Sequence, residues 1–168
     1  MSDRARLPTG PLREEHRMLL PMIKGLETLA AELPGLEAGE GRSRLAAAVG
    51  FLREELLPHA SAEEAVLYPA VEQVSHAPGS LVTMRADHRE VVRRIDALAA
   101  ASSGDSLAAV PFQLVGLAAI LELHFRKEEE LLLPLLDRAL EPAEADQLFA
   151  QMTRHVEEAG GEEGAPLH

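Results

Sequence analysis

The chain has 168 residues, 46% of them apolar and 26% charged, with a formal net charge of −12, seven histidines and no cysteine. That size and balance suit one globular domain, read here as residues 1–160, with a disordered tail over 161–168. The absence of cysteine removes disulfides, thiolate metal sites and cysteine nucleophiles, and the acidity opposes phosphate backbones and anionic lipid, which require a basic surface.

No apolar run reaches eighteen residues, and the opening MSDRARLPTG lacks the hydrophobic stretch of a secretory signal. A soluble cytoplasmic protein is the expectation, with neither a membrane nor a nucleic acid as partner. Apolar residues recur at steps of three and four, which marks helices. The first runs from about Pro11 to Ala31, with Pro11 in its opening turn and a kink expected at Pro21. A second spans about Ser43 to Val74 and a third about Ser80 to Ala101, each with a serine placed to cap it. The fourth begins between Ser106 and Pro111 and ends near Arg138, and Pro142 opens a shorter fifth of about four turns. The connections contain Gly, Pro and Ser. The fold class expected is all-α, an up-down-up-down four-helix bundle with an additional C-terminal helix.

Each of the four main helices has an apolar seam interrupted by one histidine. The seams read Leu12, His16, Leu19, Ile23, Leu26, then Leu45, Val49, Leu52, Leu56, His59, Glu63. The other two read Leu81, Met84, His88, Val91, Ile95, Leu98, and Leu114, Leu117, Leu121, His124, Glu128, Leu131, Leu135. Burying a neutral polar group without a partner costs about 2–7 kcal/mol, and a charge costs more. A lone histidine on such a stripe is commonly a core residue bonded to a backbone carbonyl. Here, however, HASAEEAVLYP (59–69) and HFRKEEELLLP (124–134) agree at five of eleven positions, and both place Glu four residues after His. That spacing puts an imidazole and a carboxylate on one helical face, a donor pair for a metal ion.

The surroundings of His16 and His88 also correspond, EEHRMLLPMIKGL against ADHREVVRRIDAL. The chain therefore reads as two helix pairs about an approximate two-fold axis, which predicts two metals. His16 and His59 would hold one, His88 and His124 the other, with Glu63 and Glu128 bridging. Glu64 and Glu129 fall one residue around the helix and receive no ligand role, Leu67 and Leu132 wall the cavity, and Pro69 and Pro134 end or bend their helices. His76, His155 and His168 are set aside.

The order His, His-x-x-x-Glu, His, His-x-x-x-Glu over residues 11–138 resembles the hemerythrin-like (HHE cation-binding) family. The resemblance implies a non-haem di-iron centre in a four-helix bundle: two iron ions with an oxo or hydroxo bridge, held by His16, His59, Glu63, His88, His124 and Glu128. It implies reaction with dioxygen or related small molecules. Oxygen-carrying members have a further histidine one turn from the third-helix ligand, and their last carboxylate is an Asp spaced one residue further. Here the positions one turn from His88 are Met84 and Val92. That leaves a coordination position for water, peroxide or a side chain, with Asp87, Glu15 and Tyr68 as candidates. Tyr68 lies about half a turn off the seam of an ideal helix and reads as a packing or surface residue.

The leading functional reading is a protein that binds or senses dioxygen, peroxide or nitric oxide. Alternatives are a catalase-like peroxide-decomposing di-iron enzyme, an iron storage or buffering bundle, and a metal-free helical interaction protein. Storage bundles favour Glu-x-x-His at i, i+3, the reverse order and shorter step.

Overall fold

A computed structural model describes residues 7–104 and 106–162. Among them are five helices and no strand: α1 (Gly10–Glu32), α2 (38–74), α3 (Val82–Ser102), α4 (110–139) and α5 (Pro142–Glu162), with a short 3-10 turn at Leu33–Gly35. Helix α5 takes in the first two residues of the expected tail; residues 163–168, with His168, lie outside the described residues. No helix among the described residues is long and apolar enough to cross a membrane.

The helix starts depart from the sequence expectation. Helix α2 begins at Ala38 rather than Ser43, running through Gly39 and Gly41, and α3 begins at Val82 rather than Ser80. Neither serine is a cap: Glu37 and Leu81 hold the cap positions without a side-chain bond. Packing decides the start of α2. A side chain at Gly41 would meet Leu33 and Leu107, each 3.1 Å from its Cβ, so glycine lets the first turn of α2 lie close against both. Tertiary contact there overrides weak helix propensity.

None of Pro21, Pro69 and Pro134 ends its helix. Helix α1 passes Pro21 without interruption, and α2 and α4 continue well beyond Pro69 and Pro134. The chain accommodates three prolines by widening the helix just before them. Leu52–Leu56, Glu63–Leu67 and Glu128–Leu132 are π-helical turns. They close with backbone bonds from Leu57 to Leu52, Tyr68 to Glu63 and Leu133 to Glu128, five residues back. Each is followed by Leu-Pro or Tyr-Pro: Pro58, Pro69 and Pro134. A proline has no N–H and its ring collides with the carbonyl four residues earlier. In all three cases that carbonyl belongs to the π-turn, where the wider path relieves the collision.

One π-turn adds a residue without advancing the face, so the apolar pattern after it shifts by one. Leu131, expected on the seam of α4, is 61% exposed, whereas Leu132, Leu133 and Leu136 are buried.

Helix α4 packs against α1 and α3, α2 packs on α3, and α5 covers the middle of α2. The buried apolar residues form two clusters. One holds Ile23, Leu26, Leu45, Leu52, Ile95, Leu98, Leu114 and Leu121 among others. The second holds Leu12, Leu67, Tyr68, Met84, Leu132, Leu133 and, from α5, Leu148 and Met152. On every main helix the histidine or His-Glu pair falls between the two, so a polar layer crosses an otherwise apolar interior.

Candidate metal centre

That layer contains His16, His59, Glu63, His88, His124 and Glu128, all buried, with His16, Glu63 and Glu128 fully inaccessible. The sequence places one histidine on each helix, and the i, i+4 step puts both carboxylates on the same faces. The Nε2 atoms turn inward. Glu63 Oε1 lies 2.9 Å from His59 Nε2 and 3.5 Å from His16 Nε2, and Glu63 Oε2 lies 3.3 Å from His88 Nε2. Glu128 reaches His16 Nε2 at 3.4 Å and His124 Nε2 at 3.3 Å. Two trios therefore have donor atoms close enough for one ion each: His16, His59, Glu63, and Glu63, His88, His124. Glu63 is common to both, and Glu128 contacts a histidine of each.

The residues fit cations better than they fit one another. Both nitrogens of His16, Nε2 of His59, both oxygens of Glu63 and Oε2 of Glu128 are buried without an aligned hydrogen bond. Six such atoms in one layer carry a heavy desolvation cost unless something else satisfies them. His88 and His124 make the same point. Their Nδ1 atoms face Glu64 and Asp87 at 2.9 and 3.2 Å. With Nδ1–H donating there, both Nε2 atoms present lone pairs to each other across 2.9 Å. A shared cation, or a proton on one ring, relieves that opposition.

Every outer nitrogen has its own carboxylate. His59 Nδ1 donates to Glu15 at 3.0 Å, and His16 Nδ1 lies in a longer ion pair with Glu129 at 3.5 Å. Carboxylate–imidazole pairs of this kind fix the ring and its tautomer and raise the basicity of the inward nitrogen. Glu15 and Asp87, weighed as direct donors from the sequence, instead stand behind histidines. Glu64 and Glu129 do the same.

The electrostatics of the metal-free chain follow from this crowding. Burial opposes a charge on His59, but the Glu63 charge and the bonds to Glu15 and Glu63 outweigh it and push the imidazole up to about 10. For His16, burial is again the largest influence and is overcome by Glu129, Glu63 and Glu128, so its pKa is raised. His124 is raised by Glu128, Glu63 and Asp87 against the same penalty. Burial would raise the Glu63 carboxyl, yet the surrounding imidazoles, His59 foremost, hold it well below its usual range.

Two side chains in the layer were missed or misplaced from sequence. Phe125 stacks on His16 at 4.2 Å between centroids. Tyr68 is fully buried rather than peripheral. It donates to Glu128 Oε1 at 2.8 Å, and its oxygen lies 3.2 Å from His124 Nε2 and 3.4 Å from His88 Nε2. The π-turn at Glu63–Leu67 accounts for the difference: five residues there cover the arc of four, so Tyr68 follows Glu63 onto the site face. The Tyr-Pro pair closing the repeat was the available signal. Burial, followed by the Glu128 and Glu63 charges, keeps its phenol protonated. Of the histidines set aside, His155 bonds Ser61 at 2.9 Å and His76 lies in a turn with φ of 52°.

A family model described as "Hemerythrin HHE cation binding domain" matches residues 7–136, which takes in all six inward-facing donors. No curated protein and no solved structure is similar enough to count as a match.

Proposed function

Because the chain belongs to the hemerythrin HHE cation-binding domain family, we propose that it holds a pair of iron ions among α1–α4 and reacts there with dioxygen, peroxide or nitric oxide. His16 and His59 hold one ion and His88 and His124 the other, with Glu63 and Glu128 between. The observation that carries this reading is the orientation of the rings: four Nε2 atoms face two buried carboxylates, while all four Nδ1 atoms face outer carboxylates. A structural core has no need of buried donor atoms on His16, His59, Glu63 and Glu128 that lack aligned partners.

The helix order also suits a bundle of alternating direction. The start of α1 meets the end of α4 where Thr9 donates to Asp137 at 2.8 Å. The end of α2 meets the start of α3 through Arg85 and Glu72 at 2.9 Å, and Arg42 at the start of α2 donates to the Gly104 carbonyl just past α3 at 3.2 Å. This up-down-up-down arrangement brings four histidines to one level.

Iron, when bound, supplies one-electron redox chemistry and a place for a small ligand. The chain supplies the rest. Glu15, Glu64, Asp87 and Glu129 orient the imidazoles, and the apolar clusters on both sides restrict water. Anaerobic loading with ferrous iron, removal of the unbound fraction, and metal quantification test the proposal, followed by spectra after dioxygen, peroxide or nitric oxide. A stoichiometry near two per chain that collapses in His59→Ala and Glu63→Ala supports it. Iron content no higher than in those variants rejects it. Oxygen release from added peroxide, abolished in Glu63→Ala, would identify turnover rather than sensing.

A further inference from the structure

We propose that the Tyr68 oxygen is a direct donor to the ion held by His88 and His124, so that the two metal positions are chemically unequal. The inference rests on the two-ion reading above and adds a seventh side chain to it. The phenolic oxygen lies 2.8 Å from Glu128 Oε1, 3.2 Å from His124 Nε2 and 3.4 Å from His88 Nε2, and those two nitrogens are 2.9 Å apart. Donors that each sit about 2.1 Å from one ion, at right angles, are about 3.0 Å from one another. The Tyr68 oxygen keeps that spacing from three groups around the same point. The ring is aimed so that its oxygen, rather than its edge, faces these three groups.

The position is not duplicated. Aligning the two eleven-residue segments sets Tyr68 of α2 against Leu133 of α4. Both follow a π-turn, and both are fully buried. The two-fold correspondence therefore supplies an oxygen on one side and a methyl group on the other. Tyr68 also stacks on His88, with 5.5 Å between centroids and 14° between planes, which restricts the phenol to the His88–His124 side. As the oxygen binds the ion, the O–H bond breaks and its proton leaves to water; no electron transfer is involved. An anionic oxygen favours the oxidised, ferric state at that position, leaving the His16–His59 ion as the more readily reduced of the pair.

The chain contains one tyrosine, which makes the test unambiguous. The full-length protein is loaded with ferrous iron, oxidised to the ferric state, and examined by visible absorption and resonance Raman spectroscopy. Coordination predicts an intense phenolate-to-iron charge-transfer band with tyrosinate ring vibrations enhanced on excitation into it. Tyr68→Phe should lose the band and the vibrations, while the helical circular dichroism stays unchanged. Iron near two per chain with no enhanced ring vibrations in the unaltered protein overturns this inference and leaves the two-ion reading standing. Failure to bind iron overturns both. Should Tyr68→Phe not fold, the unaltered protein still decides, because no other residue can produce a tyrosinate signal.

Discussion

Each imidazole of the centre faces carboxylates through both nitrogens, an arrangement with a measurable consequence for proton balance. In the metal-free chain the pKa values of His16, His59 and His124 are raised, that of His59 to about 10, so the His59 ring holds its proton at neutral pH. His59 pairing therefore contributes stability that is complete below its ordinary 6.5 and is lost as pH rises through about 10. The lowered Glu63 contributes stability present above its ordinary 4.5 and lost as pH falls through its depressed value. A metal ion must displace the Nε2 protons. Calorimetric titration with zinc or ferrous iron near pH 7, in two buffers of different ionisation enthalpy, should show net proton release and an affinity that weakens as pH falls; heats that match in both buffers would sink this account. The outer carboxylates matter in proportion to what they hold. Asp87 takes the His124 Nδ1 bond at 3.2 Å and pairs with Lys127. Asp87→Asn should weaken metal binding by about tenfold or more, measured by chelator competition, with the circular dichroism spectrum unchanged.

At the level of helices, the π-turns make the strongest predictions. Deleting Glu130 from the turn at 128–132 returns α4 to ordinary helical spacing and keeps the later residues on their faces. Pro134 would then collide with the carbonyl four residues before it, at a cost of about 3 kcal/mol. Adding Pro134→Ala to the deletion should recover most of that loss in urea denaturation. Deleting exposed Ala119 from the plain α-helical part of α4 should be far worse. It turns Leu121, His124 and Glu128 by about 100° off the core face. Equal damage from the two deletions would mean that the π-turn is not the inserted residue described here. Gly25 lies on exposed α1 with open space at its Cβ, and Gly25→Ala should add about 0.5–1 kcal/mol. These turns also mark the limit of what the sequence discloses. Within His59-x-x-x-Glu63 and His124-x-x-x-Glu128 the 3.6-residue period is undisturbed, and all six donors could be placed on inward faces from spacing, even though the π-turn at Leu52–Leu56 precedes His59. Beyond each glutamate the period breaks, so regular spacing puts Leu131 on the seam and Tyr68 about half a turn off it, one residue out of register. The Leu-x-Pro triplets at Pro58, Pro69 and Pro134 are the local cause. The early start of α2 was hidden for a different reason, since Gly39 and Gly41 look like loop residues until Leu33 and Leu107 are seen packed on Gly41.

For the molecule as a whole, a layer of six buried ionisable groups between two apolar clusters is a poor way to stabilise a chain that carries a formal charge of −12. Desolvating such groups commonly costs more than their mutual attraction returns, and replacing buried ion pairs by apolar residues is often neutral or stabilising by about 1–4 kcal/mol. A variant with His16, His59, His88 and His124 changed to Leu and Glu63 and Glu128 changed to Met should therefore match or exceed the thermal stability of the metal-free protein. It should show no response to added metal. The unaltered chain should behave oppositely. Ligand present at about one hundred times its dissociation constant adds about 2.7 kcal/mol per site, and a chain of this size gains about 2–4 °C per kcal/mol. Loading should thus raise the melting temperature by at least about 5 °C, with a further increase if both positions fill. The comparison isolates the purpose of the polar layer. If the apolar variant melts well below the metal-free protein, the imidazoles and carboxylates form a stabilising network in their own right and the argument from burial cost fails. If it melts at or above it, the six donors are retained against the interest of the fold, and binding a cation is what offsets their presence.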